Sequence, residues 1–298
     1  MAIFKTIGDQ ITALSDALGF ERRDLKKDFI FPYDYLRGNI LSRTFRWDFN
    51  QIECFCMFVG YPRSGHSLVG SLLDAHPDIV ISHEMDVLRY LRYGFSKRQV
   101  LSLIIHNDKS FTGKGREWSG YDYNISGLWQ GHYRQLKVIG DKEGSESTRQ
   151  LKKNTELLDK VRETFDYPLK LIHIVRHPLD NITTHYIKRN PQQTLPEAID
   201  DYFERVETNN SIRNQIDPIE WFEIAHEEII EESKASLKKM TDFLGVEPNE
   251  NYLNAATGKI YNSPHNSRNK IDWPEEMVEQ VAERSQAYNF LKQYNFGI

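Results

Sequence analysis

One stretch limits the folds open to this chain: residues 54–84, CFCMFVGYPRSGHSLVGSLLDAHPDIVISHE. Residues 54–59 form an apolar run without a polar break, the pattern of a strand buried on both faces. Gly60-Tyr61-Pro62-Arg63-Ser64-Gly65 is a turn rich in Gly, Pro and Ser. Over 66–75, Leu68, Leu72 and Leu73 fall at helical spacing, and the pattern stops at His76-Pro77. A strand, a glycine loop and a helix in succession make an anion site. The loop amides and the first free N–H groups of the helix converge on one spot, and the helix dipole makes that spot positive.

The rest of the chain repeats the alternation. Strands are predicted at 78–82, 136–140, 169–175 and 219–225, and helices at 85–93, 97–106, 146–165 and after Pro178. The capping box Thr194…Glu197 opens a long helix, Gly245 stops another over 233–244, and Pro274 starts the last. Such alternation implies an α/β fold: a three-layer sandwich with a central parallel sheet of about five strands flanked by helices. No internal repeat or linker appears, so 1–298 is expected to be a single domain. Residues 1–50 would be a lead-in packed on the core, an amphipathic helix over 1–20 followed by an irregular aromatic segment over 29–47.

Composition narrows the partners. Hydrophobic content of 39% marks a globular chain, and a net charge of −5 argues against a general nucleic-acid binder. Two cysteines, Cys54 and Cys56, lie inside the first strand, which is no disulfide framework and fits a reducing compartment. No apolar run reaches the roughly 18 residues of a membrane span, and no signal-peptide core opens the sequence. The expectation is a soluble, cytoplasmic protein.

Ligands of parallel sheets bind at the carboxyl ends of the strands. Those ends carry Arg63, His83-Glu84, Asp141-Lys142, Arg176-His177 and His226-Glu227. Cations suit a phosphate-bearing ligand, while Glu84 and His83 are both candidate bases for proton transfer. Arg176 offers a planar fork to a phosphate, and Thr184, about two helical turns on, can reach the same anion. Residues 108–133 break the periodicity with five glycines and the rings of Trp118, Tyr121, Tyr123, Trp129 and Tyr133, either a binding lid or an aromatic surface loop.

Gly60, Gly65 and Ser67 fit the P-loop fingerprint G-x-x-x-x-G-K-[ST], but His66 takes the lysine position, which weakens an ATPase or kinase reading. Pro62-Arg63-Ser64-Gly65-His66-Ser67 instead resembles the 5′-phosphosulfate loop of the sulfotransferases, which use 3′-phosphoadenosine-5′-phosphosulfate (PAPS). The run LIHIVRHPLDNITTHY resembles their 3′-phosphate site, an Arg after a strand and a Ser or Thr eight residues later. The tyrosylprotein sulfotransferases and their bacterial relatives are most similar, tracking 62–84 without a gap through Leu73-Asp74-Ala75-His76-Pro77. The likeness spans about two thirds of the chain as topology and is specific over 60–84 and 172–184. Departures are His66 in the loop, His83 where an acid would precede the base, and His226 where a tyrosine is usual.

The resemblance implies a set of roles. Arg63, Ser64, Gly65, His66 and Ser67 would hold the phosphosulfate, and Arg176, Thr184 and His226 the remainder of the donor. Arg268 and Lys270, in the polar basic loop 263–273, would close over the 3′-phosphate. Glu84, 21 residues after Arg63, would be the general base, with His83 as the alternative, and Arg63 and Lys142 would neutralise charge in an in-line transfer. PAPS would be the donor and PAP the product, without a divalent metal. The acceptor would be a hydroxyl of a carbohydrate, phenol or other small molecule in a bacterial cytoplasm, with protein tyrosine as a variant. A P-loop kinase and a non-catalytic nucleotide binder are the competing readings.

Overall fold

The computed structural model describes residues 22–45, 47–189, 191–260, 263 and 265–297. The chain divides into two compact units, Met1–Trp47 and Asp48–Ile298. The helix expected over 1–20 lies outside the described residues. In the first unit, most of the segment expected to be irregular is helical: α1 runs Arg22–Thr44 and carries Pro32 within it. The aromatic, weakly periodic sequence hid a helix that straight-chain and charged residues support.

The second unit is built on a parallel sheet. Its strands are β1 (Cys54–Gly60), β2 (Ile79–His83), β5 (Val138–Lys142), β6 (Leu169–Val175) and β7 (Trp221–Ala225), in the order β2-β5-β1-β6-β7. Registers such as Cys56↔Gly140, His83↔Lys142 and Val175↔Ala225 bring every carboxyl end to one edge. β1 is buried at all seven positions, as an unbroken apolar run requires. Cys54, Cys56 and Phe58 join a cluster with α2 (His66–Asp74), α10 (Ser233–Phe243) and α11 (Glu250–Thr257). Phe55 points the other way and stacks on Phe165 of α6 (Leu157–Phe165), ring centroids 4.1 Å apart. Helices therefore cover both faces, the expected three-layer sandwich.

Several boundaries differ from the periodicity. The helix expected over 146–165 is two, α5 (Ser145–Lys153) and α6. Asn154 is extended between them, and its side chain accepts from the Glu156 amide, a local bond that competes with the helix. The helix expected to end at His106 continues to Gly113 (α4, Lys97–Gly113), because Asp108 finds a buried cation. Asp141 and Lys142 lie inside β5 rather than beyond it. α11 was not foreseen; Asn249 caps it, and the helix buries Tyr252, Leu253 and Ala256. The remaining helices are α3 (Val87–Arg92), α7 (Pro178–Arg189), α8 (Leu195–Gln215), α9 (His226–Glu231) and α12 (Glu275–Ser285).

Candidate active site

The loop between β1 and α2 is held from below. The Tyr61 hydroxyl lies 3.1 Å from His173 Nε2, and His173 Nδ1 lies 2.9 Å from Glu223. Thr148 accepts from the Gly60 amide at 2.8 Å. Ser64 Oγ donates to the Tyr61 carbonyl, so it accepts from His66 Nδ1 at 3.2 Å, which leaves His66 Nε2 as an acceptor. Gly65 sits at φ 99°, and a Cβ there would meet His226 Nδ1 at 2.3 Å. Only glycine serves both the backbone and the space. His226 Nδ1 is buried and finds no partner among the described residues.

Lys142 and Glu84 form the centre. Lys142, 1% exposed, donates from Nζ to Glu84 Oε1 and to Ser67 Oγ, each at 3.0 Å. Its stem crosses α2 at Gly70, where a Cβ would come within 2.9 Å of Lys142 Cγ. Glu84 has φ 51° and its amide donates to the Lys142 carbonyl at 3.0 Å. The buried Asp141 carboxylate sets the strained turn, accepting from Ser82 Oγ (2.7 Å) and from the amides of Met85, Asp86 and Val87 (3.1, 2.8 and 3.1 Å). Burial pushes the Glu84 carboxyl up, but the Lys142 charge and hydrogen bond outweigh it and hold the group at about 2.

The imidazoles are kept neutral. Burial, then the Lys142 charge, brings His83 down to about 2 and His66 to about 3. Burial, then Arg176, brings His226 to about 3. His83 is locked in a ring stack, 4.3 Å from Phe111 and 5.3 Å edge-on to Trp118. Trp118 belongs to a hairpin, β3 (Glu117–Trp118) and β4 (Tyr121–Asp122), turned by Ser119 and Gly120, both at positive φ. Burial raises the Tyr123 phenol to about 12; it faces Ser67, Arg63 and Glu84.

A second cationic site lies at the end of β6. The Arg176 guanidinium donates to the carbonyls of Arg63 (3.2 Å) and His265 (2.8 Å) and to Ser267 Oγ (3.2 Å). A profile of the sulfotransferase family matches residues 57–250 of this chain, a span that holds the glycine loop, Glu84, Lys142 and Arg176. The chain belongs to the sulfotransferase family. Its fold is similar to the sulfotransferase domain of the Synechococcus PCC 7002 olefin synthase, at 17% identity over 82% of this chain and 98% of that one, TM-score 0.51. It is likewise similar to the sulfotransferase domain from the curacin biosynthetic pathway, at 14% identity over 80% and 99%, TM-score 0.51. A search of curated proteins returns no match.

In this sulfotransferase, the residues singled out from sequence fall into two groups. Arg63, Ser64, Gly65, His66, Ser67, His83, Glu84 and Lys142 lie at the ends of β1, β2 and β5. Arg176, Thr184, His226 and Arg268 lie around β6, β7 and α7. Arg268 and Thr184, like Arg176, are engaged within the chain. Arg268 pairs with Asp180 through its amide, Nε and guanidinium (2.6, 3.2 and 2.8 Å), and the Thr184 hydroxyl donates to the Asp180 carbonyl at 2.8 Å. Lys270 is exposed on the short 3₁₀ turn Ser267–Lys270. Sequence reasoning passed over Asp180 and Arg116, and it named Asp141 and Tyr123 without giving either a role of its own. Asp180, one helical turn after Arg176, was the visible signal.

Proposed function

We propose that this sulfotransferase transfers the sulfuryl group of PAPS to a hydroxyl, with Glu84 as general base. The observation that carries this reading is the Lys142 ammonium, hydrogen bonded both to Glu84 and to Ser67 of the glycine loop. One cation thus touches the base and the anion-binding loop, where bond making and bond breaking have to meet. Glu84 accepts the acceptor's hydroxyl proton as the new O–S bond forms. Lys142 and Arg63 neutralise the charge that collects on the 5′-phosphate oxygen as its bond to sulfur breaks. A Glu84 carboxyl held at about 2 is ionised and ready to accept a proton, and once Lys142 turns to the sulfuryl oxygens its proton affinity rises. His83 is the lesser candidate on geometry, since its ring is stacked on Phe111 and lies edge-on to Trp118.

Arg176 supplies the site for the 3′-phosphate, with Thr184 and the loop bearing Ser267 beside it. Asp180 occupies Arg268, so that cation reaches a donor by exchanging partners. His226, with a buried orphan nitrogen against Gly65, offers a polar contact between the two phosphate ends. The acceptor enters beside Glu84, under the hairpin rings.

Thermal unfolding with PAP, beside ATP and Mg²⁺, tests the donor. A ligand at about 100 times its dissociation constant adds about 2.7 kcal/mol to a chain that binds it only when folded. A PAP shift that Arg176→Ala abolishes is expected. A shift with ATP and Mg²⁺ alone would overturn the PAPS assignment in favour of a kinase.

A further inference from the structure

Arg116 is 1% exposed and stands at φ 55° between α4 and the β3–β4 hairpin. Its Nη1 lies 2.8 Å from Asp74 Oδ2, 2.9 Å from Asp108 Oδ1 and 2.8 Å from Thr112 Oγ1. Asp74 ends the helix of the glycine loop and also accepts from the Ile81 amide of β2 at 2.8 Å. The guanidinium lies over the Phe111 ring, 4.8 Å away, and that ring also stacks on His83, next in sequence to Glu84. The Arg116 carbonyl accepts from the Tyr123 amide at 3.1 Å, closing the base of the hairpin. A single buried side chain therefore ties together the donor-loop helix, the strand that delivers Glu84, and the hairpin.

The hairpin carries the rings. Trp118 and Tyr121 are 43% and 46% exposed, and Tyr121 lies 6.3 Å from Tyr123. Tyr123 faces Glu84 and Arg63. Its far end is fixed by Asp122, 2.6 Å from Lys259, and its exit by Gln130, which bonds the carbonyls of Tyr123 (3.0 Å) and Ser71 (3.1 Å). The rings of Trp118 and Tyr123, backed by the His83–Phe111 stack, form a wall that presents π faces beside Glu84, while Phe111 itself is covered by His83 and Arg116. A flat aromatic ring stacks there over its whole face, a larger contact than the puckered, hydroxyl-bearing face of a sugar makes.

We propose that this wall is the acceptor site for an aryl hydroxyl and that Arg116 is its positioning residue. The assignment rests on the sulfuryl-transfer reading above. Arg116 touches no reacting atom; it fixes the distance between the rings and Glu84.

The experiment uses the full chain, PAP binding by calorimetry, and PAPS turnover with 2-naphthol and cyclohexanol as probes. Wild type is expected to bind PAP and to use 2-naphthol with at least tenfold higher kcat/KM than cyclohexanol. Trp118→Ala should raise KM for 2-naphthol with kcat within about twofold. Arg116→Met strands two buried carboxylates and tests folding as much as function. The triple variant Arg116→Met, Asp74→Asn, Asp108→Asn leaves no ionisable group in the cluster and keeps the fold testable. It should bind PAP within about twofold of wild type and lose at least tenfold in kcat/KM for 2-naphthol. A wild type that binds PAP but prefers cyclohexanol, or ignores 2-naphthol, overturns the aryl assignment. Equal losses of PAP affinity and 2-naphthol turnover in the triple variant reduce Arg116 to a general prop. Absence of PAP binding by wild type defeats the underlying reading and the proposal with it.

Discussion

Replacing Glu84 by Gln separates the charge of the Lys142–Glu84 pair from its shape. Lys142 is buried, so its ammonium depends on Glu84 Oε1 and Ser67 Oγ, each 3.0 Å away. The carboxyl falls from 4.5 to about 2 in the folded chain. At 1.36 kcal/mol for each tenfold change in proton affinity, that is about 3 kcal/mol. Because the folded value is the lower one, this stability is fully present above about pH 4.5 and is lost as pH falls through about 2. Gln keeps an oxygen for Nζ, so the expected loss at pH 7 is about 2–3 kcal/mol, roughly 4–12 °C in Tm for a domain of this size. The gap between wild type and Glu84→Gln should narrow by about 1 kcal/mol between pH 7 and pH 3.5. Saturating PAP gives Lys142 another anion and should narrow the gap at pH 7 as well, while PAPS turnover falls about 100-fold or more. Thermal melts of both proteins over this pH range, with and without PAP, read every term. A gap as wide at pH 3.5 as at pH 7 refutes the ion pair as its source. A gap that PAP leaves untouched refutes Lys142 as a ligand of the phosphosulfate end.

Two further substitutions probe how the site is built. Gly65→Ala places a Cβ 2.3 Å from His226 Nδ1 at φ 99°, which should cost about 1–3 kcal/mol and weaken PAP binding measured by calorimetry. Adding His226→Ala should return part of the stability, since the clash goes while the backbone cost stays; no recovery would show that the imidazole is not the obstacle. Asp141→Asn turns a donor toward amides that now share a carboxylate, and should cost about 1–3 kcal/mol in denaturant unfolding. It should also lower kcat with little change in PAP affinity, because the amides of residues 85–87 hold the turn that aims Glu84.

The sheet was legible because each strand carries its own signal. The run over 54–59, the glycine loop and LKLIHIV are periodic patterns within one element, and the parallel connection puts their ends together. That was enough to place Arg63, Glu84, Lys142 and Arg176 at one edge before any side-chain geometry was known. What those residues bond to was not legible, for a physical reason. Lys142 and Glu84 are 58 residues apart in sequence, and Arg268 and Asp180 are 88 apart. A period sees the faces of one helix or strand; it cannot see a cation on one element neutralised by a carboxylate on another. The same blindness explains the long α4 and the hairpin after it. Asp108 reads as a polar break in an apolar pattern until Arg116 is found against it, and Arg116 reads as a loop cation until it is found buried. Asn154 shows the opposite error, a strong helical pattern cut by one side-chain-to-backbone bond. Across this chain the apolar residues determine where the strands end, and the buried charged residues determine what is held there. The chemistry is therefore most exposed to change where a buried charge is neutralised by one charged partner, as Lys142 is by Glu84. That makes the Lys142–Glu84 pair the more informative place to cut than the loop glycines, since its loss removes a charge while leaving the anion-binding backbone in place.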